Sequence, residues 1–244
     1  MNENEVLSDC LDHIFSVFRH ELGNTVNSLK ITLDVLLSNY AGFSDEKRIE
    51  FIERSMEQVD RQHRLLDKMK TYSHATVDHI QSIPLISFWN DIIQLIQSKI
   101  QQTPVVFHHQ ITASHVLVKT SLAATLQLIE HILNNSLDAL DGVDVPQIDL
   151  RASLSDDQLI LQIRDNGSGI APDILPRIVL PFFSTRYDRS GLGLSIASKL
   201  MNQMDGQLSI ASNVRQGTVV TLQFPIMPKQ ADIEPIHERK PLPC

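Results

Sequence analysis

The chain has 244 residues, enough for one large domain or two small ones. Its 42% hydrophobic content is ordinary for a core-forming protein, and a formal net charge of −8 argues against the basic face that nucleic-acid binding requires. No apolar run reaches the roughly 18 residues a membrane span needs, the acidic start "MNENEVLSDC" has no signal core, and Cys10 and Cys244 sit too far apart for a disulfide framework, so a cytoplasmic protein is expected.

In chain order, residues 3–40 contain no proline and a single glycine, Gly23. Their apolar positions, Leu11, Phe15, Phe18, Leu22, Val26, Leu29, Leu33 and Leu36, recur in steps of three and four and predict one long amphipathic helix. "YAGFS" supplies a turn with Ser44 as N-cap, and Asp45 and Glu46 suit the first turn of a second helix over about residues 45–73. Ile49, Ile52, Met56, Val59, Leu66 and Met69 form its apolar stripe. A two-helix hairpin leaves half of such a stripe uncovered, and a second copy covers it most simply, as a two-fold four-helix bundle. The periodicity breaks over residues 76–84, read as a linker between a domain at 1–75 and another at 85–228. In that second stretch "SFWNDIIQLIQSKIQ" and "SLAATLQLIEHILNNSLDAL" read as helices and "PVVFHHQI" as a strand. Two strands meet at Ser155–Asp157, and "GQLSIASN" with "GTVVTLQFP" make a closing hairpin. Residues 229–244 are polar and proline-bearing, and read as a disordered tail.

Four of the nine glycines occur in two short motifs, Gly167 and Gly169 in "DNGSGI" and Gly191 and Gly193 in "SGLGLS". The first follows a strand and the second opens a helix, where backbone N–H groups favour phosphate. Asp165, at a strand end, can accept a hydrogen bond from a ligand amine such as that of adenine. Asn135, one helical turn after His131, offers an amide oxygen suited to Mg²⁺. Each feature alone also fits a turn or a solvated helix face. The spacing matches neither a dinucleotide-binding fingerprint nor a P-loop.

Taken together, "FRHELGN", "HILNNSLDA", "DNGSGI", "PFFSTR", "SGLGLS" and "GTVVTL" resemble, in order, the H, N, G1, F, G2 and G3 boxes of sensor histidine kinases. The resemblance covers about residues 8–226. It implies an α+β chain: a helical-hairpin dimerisation domain, then an α/β-sandwich ATP-binding domain of the gyrase, Hsp90 and histidine-kinase type. Carried over, Asn135 would bind Mg²⁺, Asp165 would read adenine, and Gly167 and Gly169 would turn beneath the base. Phe182 and Phe183 match the F box, followed by Thr185 and Arg186. Gly191, Leu192, Gly193 and Leu194 match the phosphate-facing helix start, and Gly217 and Thr218 the last box. "YDRS" would be a short ATP lid. Departures are His131 for an asparagine, Arg189 for a glycine, Arg186 for a lysine, Thr25 for a helix-kinking proline, and Gly23 for a basic residue.

His20 lies two residues from both Phe18 and Leu22, so it points away from the apolar stripe. A neutral imidazole is a nucleophile near neutral pH. By resemblance His20 is the phosphoacceptor, Glu21 the general base, and Asn24 the group that positions water for dephosphorylating a partner. The implied protein is a cytoplasmic homodimer using ATP and Mg²⁺, with a response-regulator receiver domain as partner. No sensor domain fits before His20, so a separate sensor protein supplies the signal or the chain is a piece of a longer one. Two alternatives stay open: a non-ATPase histidine phosphotransfer protein with a degenerate ATP domain, and a regulatory ATPase or serine kinase sharing only that domain. His108 and His109, adjacent on a strand, lack the further ligands a metal site needs.

Overall fold

The computed structural model describes residues 3–112, 116–186 and 189–228. These described residues fall into two compact units, one within Met1–Thr76 and Pro172–Leu200, the other within Val77–Ala171 and Met201–Cys244.

In the first unit, α1 (Glu3–Ser38) and α2 (Asp45–His74) pack together as a hairpin, joined by a 3₁₀ turn at Tyr40–Gly42. Ser44 caps α2 as its sequence predicts, its hydroxyl accepting from Lys47 N–H at 3.3 Å, and Asp45 also holds Arg48 at 2.6 Å. Thr25, the position of the expected kink, leaves α1 unbroken: its hydroxyl donates to the carbonyls of Leu22 (3.0 Å) and Glu21 (3.2 Å).

The hairpin leaves much of the expected α2 stripe uncovered. Ser55 and Leu65 are the buried residues of that helix, whereas Ile49, Ile52, Met56 and Leu66 are at least half exposed. On α1, Leu36 is buried while Val26, Leu33 and Leu37 are exposed. Val59 and Met69 of the α2 stripe are half-buried, so α1 covers part of it and leaves the rest exposed. The segment Pro172–Leu200 belongs to the same unit, where the Lys199 ammonium donates to the Tyr72 carbonyl at 2.7 Å and the Ser73 carbonyl at 3.3 Å. A cation there meets the negative end of α2. Burial pushes the Lys199 pKa down.

The second unit is a seven-stranded sheet with helices α3 (Leu85–Ile100) and α4 (Leu122–Ala139) packed on each other. The strands are β1 (Gln81–Pro84), β2 (Val106–Ile111), β3 (Val116–Thr120), β4 (Gln147–Ser155), β5 (Gln158–Asp165), β6 (Gln207–Asn213) and β7 (Gly217–Pro228). They run β1-β3-β7-β5-β4-β2 across the sheet, with β6 also paired to β7. Among the described residues β2 and β4 pair in parallel and the other pairs are antiparallel. The expected linker is thus shorter than 76–84, because Gln81–Pro84 pair with β3 and bury Ile83. Pro84 closes this strand at the sheet edge, where its missing N–H costs no ladder bond.

Alternation builds the core: Ile148, Leu150 and Ala152 on β4, Leu159, Leu161 and Ile163 on β5, and Val220, Leu222 and Phe224 on β7 are buried. Phe88 of α3 meets Phe224 edge-on at 5.5 Å. Residues 229–244, read as a tail, lie outside the described residues.

Candidate functional site

Within the second unit, β5 ends at Asp165, whose neighbours across the ladder are Ile148 on β4 and Thr218 on β7. Period-two alternation puts Asp165 on the same face as Leu161 and Ile163, so its carboxyl is buried, with 3% of the residue exposed. Among the described residues three donors hold it. Gly167 N–H and Thr218 N–H donate to Oδ1 at 3.0 and 3.1 Å, and the Ser136 hydroxyl donates to Oδ2 at 3.1 Å. Burial raises the Asp165 pKa above the usual carboxylate range, with these hydrogen bonds and Arg164 acting in the opposite direction.

The loop after Asp165 is held by close approach. A methyl group at Gly167 would lie 2.6 Å from the Ala139 carbonyl oxygen, and Ser168 N–H donates to that same oxygen at 2.9 Å. Gly169 adopts φ +68° against Asn213, and Ile170 N–H donates to the Ser212 hydroxyl. Ser212 also bonds Thr218 Oγ1 at 2.9 Å, tying β6 to the start of β7. Gly217 has φ +89°, and a methyl there would overlap the Asp165 carbonyl oxygen. On α4, Asn135 is exposed and Asn134 half-buried. His131, one turn before Asn135, is partly buried, which pushes its pKa down; Glu130 opposes this.

The first unit holds the other predicted groups. Phe182 takes φ +67°, and Phe183 packs its ring 4.6 Å from the Arg177 guanidinium. Gly191 lies against the Phe182 backbone, where a methyl would come within 2.6 Å of its carbonyl carbon. The "PFFSTR" and "SGLGLS" segments therefore touch. Thr185 and Arg186 are exposed, and Arg186 N–H donates to the Ser184 hydroxyl at 3.1 Å. Leu192 is buried, its N–H donating to Ser190 Oγ at 3.3 Å, and Gly193 begins α5 (Gly193–Gln203) with Leu194 half-buried behind it. Of the expected lid, Tyr187 and Asp188 lie outside the described residues.

His20 and Glu21 are both exposed on α1. The Asn24 amide nitrogen lies 3.2 Å from His20 Nδ1, the i, i+4 contact expected from helical spacing. Nε2 is the ring nitrogen that Asn24 does not engage. Sequence reasoning passes over Ser136, because a serine after two asparagines reads as helix polarity. Its one signal is the placement of Asp165 at a strand end beside that helix.

Asp165 is thus a buried acid at a strand end, held by a glycine turn, a threonine amide and a serine hydroxyl. Residues 122–228 match the family model "Histidine kinase-, DNA gyrase B-, and HSP90-like ATPase". Beyond that stretch, the chain is similar along most of its length to sensor histidine kinases. It is 26% identical over 208 residues to Sporulation kinase D of Bacillus subtilis, covering 85% of this chain and 40% of that protein. To the sensor histidine kinase ZraS of Salmonella typhimurium it is 22% identical over 223 residues, covering 91% of this chain and 47% of that protein. The chain thus spans less than half the length of these relatives. Its fold resembles the catalytic domain of histidine kinase ThkA, with TM-score 0.54 and 19% identity over 61% of this chain and 96% of that one. It also resembles ThkA in complex with response regulator protein TrrA, with TM-score 0.59 and 16% identity over 94% of this chain and 66% of that one. Among the described residues no helix is long and apolar enough to cross a membrane.

Proposed function

We propose that this chain is the catalytic portion of a homodimeric, cytoplasmic histidine kinase, with residues 1–75 as its dimerisation and phosphotransfer domain and residues 85–228 as its ATP-binding domain. The observation that carries the reading is the buried Asp165 carboxylate, held by Ser136, Gly167 and Thr218, in a chain whose α1 presents an exposed His20 beside Asn24.

Asp165 accepts from the exocyclic amine of adenine, with Gly167 and Gly169 beneath the base and Thr218 fixing the carboxylate. Phe183, Thr185, Arg186, Gly191, Leu192, Gly193 and Leu194 serve the phosphates, through backbone N–H groups and the Arg186 guanidinium. The exposed Asn135 amide oxygen fits Mg²⁺, which favours hard oxygen donors and keeps water and phosphate ligands. When bound there, Mg²⁺ would neutralise phosphate charge.

In the reaction His20 Nε2 attacks the γ-phosphorus of ATP. The N–P bond forms as the bond from phosphorus to the β,γ-bridging oxygen breaks, ADP leaves, and Glu21 takes the imidazole proton. The phosphoryl group then passes to an aspartate oxygen on a response-regulator receiver domain. The solved complex of ThkA with the response regulator protein TrrA supports a partner of this kind. The exposed apolar residues Ile49, Ile52 and Met56 of α2 support a second copy as the partner of the hairpin. A separate sensor protein or a further segment of the same polypeptide delivers the signal.

Calorimetric titration with ADP tests the nucleotide assignment. Asp165→Asn should lose binding, and unchanged affinity would remove Asp165 from the site.

A further inference from the structure

We infer that Ser136 is a positioning residue, fixing the Asp165 carboxylate so that one acceptor direction remains for a ligand amine. The inference rests on the assignment of Asp165 to adenine.

A carboxylate offers about four lone-pair positions. Gly167 and Thr218 fill both on Oδ1, and Ser136 fills one on Oδ2, which leaves a single position on Oδ2. The three donors come from the β5–Gly167 turn, from β7 and from α4, so the carboxyl plane is fixed from three elements at once. Two are backbone groups that any sequence would supply. Ser136 is the side chain among them, and the one whose removal leaves the backbone intact.

Its behaviour in the helix is itself unusual. A serine inside a helix commonly turns its hydroxyl back to the carbonyl four residues earlier. The Ser136 hydroxyl is buried and reaches across to β5 instead. Having given its only hydrogen to Oδ2, it cannot donate to a ring nitrogen of the base. The remaining Oδ2 position therefore selects a ligand that brings its own N–H. Adenine has an exocyclic amine there, whereas hypoxanthine presents a carbonyl oxygen, acceptor against acceptor.

Ser136 also favours the charged carboxylate against burial. The charged group acting on Asp165 is Arg164, its neighbour on β5; Ser136, Gly167 and Thr218, the other groups facing it, do not titrate. Without the hydroxyl, protonation of Asp165 moves to higher pH.

The test is calorimetric titration of the full chain with ADP and with IDP across pH, for wild type, Ser136→Ala, Ser136→Cys and Asp165→Asn. Ser136→Ala should bind ADP roughly tenfold more weakly, the scale of one lost hydrogen bond to a charged group. Its IDP affinity should barely change, so discrimination narrows, and its loss of ADP affinity on acidification should begin at higher pH. Ser136→Cys, with a poorer donor, should fall between, and it carries the test if the alanine variant does not fold. Equal losses for ADP and IDP with an unmoved pH profile, or no loss at all, would overturn the positioning role while Asp165→Asn still fails to bind. If Asp165→Asn binds ADP as wild type does, the adenine assignment itself fails, and this inference with it.

Discussion

Replacing Gly217 by alanine should strike the protein where β7 begins and Asp165 is held. The backbone at Gly217 has φ +89°, and placing an L-residue there costs about 1–2 kcal/mol. The added methyl would overlap the Asp165 carbonyl oxygen and lie 2.8 Å from Asn166 Cα, both main-chain atoms, so no side chain can rotate away. Relief requires β7 to part from β5 at the Asp165–Thr218 pair, where the Thr218 N–H supports the carboxylate. One such hydrogen bond is worth about 1–2 kcal/mol, which brings the expected total to about 3 kcal/mol. Gly142→Ala is the internal control: its φ is +77°, but nothing lies within 4 Å of the new methyl. That variant should lose only about 1 kcal/mol. Urea unfolding at constant m measures both, and ADP titration should show weakened binding for Gly217→Ala alone. If Gly217→Ala is no less stable than Gly142→Ala, the contact with the end of β5 is not restrictive and the reasoning is wrong.

Asp165→Asn should lose ADP yet melt no lower than wild type. The folded pKa of Asp165 is raised, so its contribution to stability is fully present below the unfolded value of about 3.9 and declines as pH rises through the folded value; a thermal scan at pH 7 showing marked destabilisation would contradict this. His131 has a lowered folded pKa, so stability should fall as pH drops below about 6.5, and His131→Gln should flatten that slope in melts between pH 5 and 8. If a second copy covers the hairpin as proposed, Ile52→Asp combined with Met56→Asp should halve the sedimenting mass of the full chain, because both residues are exposed on α2. Asn24→Ala should leave autophosphorylation largely intact and slow loss of phosphate from a cognate regulator, measured with labelled phosphate.

Helical spacing locates α1, α2, α3 and α4 in the residues alone, and the alternation of β4, β5 and β7 places Asp165 on the buried face. Gln81–Pro84 is not legible in this way, because a four-residue strand ending in proline carries too little pattern; its pairing with β3 is set by tertiary contact. Periodicity locates the apolar stripe of α2 but does not say which of its edges meets α1, so the burial of Ser55 and Leu65 is not legible in it. Ser136 is barely legible for a different reason. Its role depends on a partner 29 residues away in the sequence. No local pattern encodes that distance.

Transfer of the γ-phosphoryl group of ATP to His20 is the claim on which the functional reading stands. Incubation of the chain with γ-labelled ATP, followed by acid and base treatment, tests it directly. The label should be lost in acid, survive base, and be absent from His20→Gln although that variant still binds ADP. Acid-stable label on the wild type, or acid-labile label persisting in His20→Gln, would contradict it.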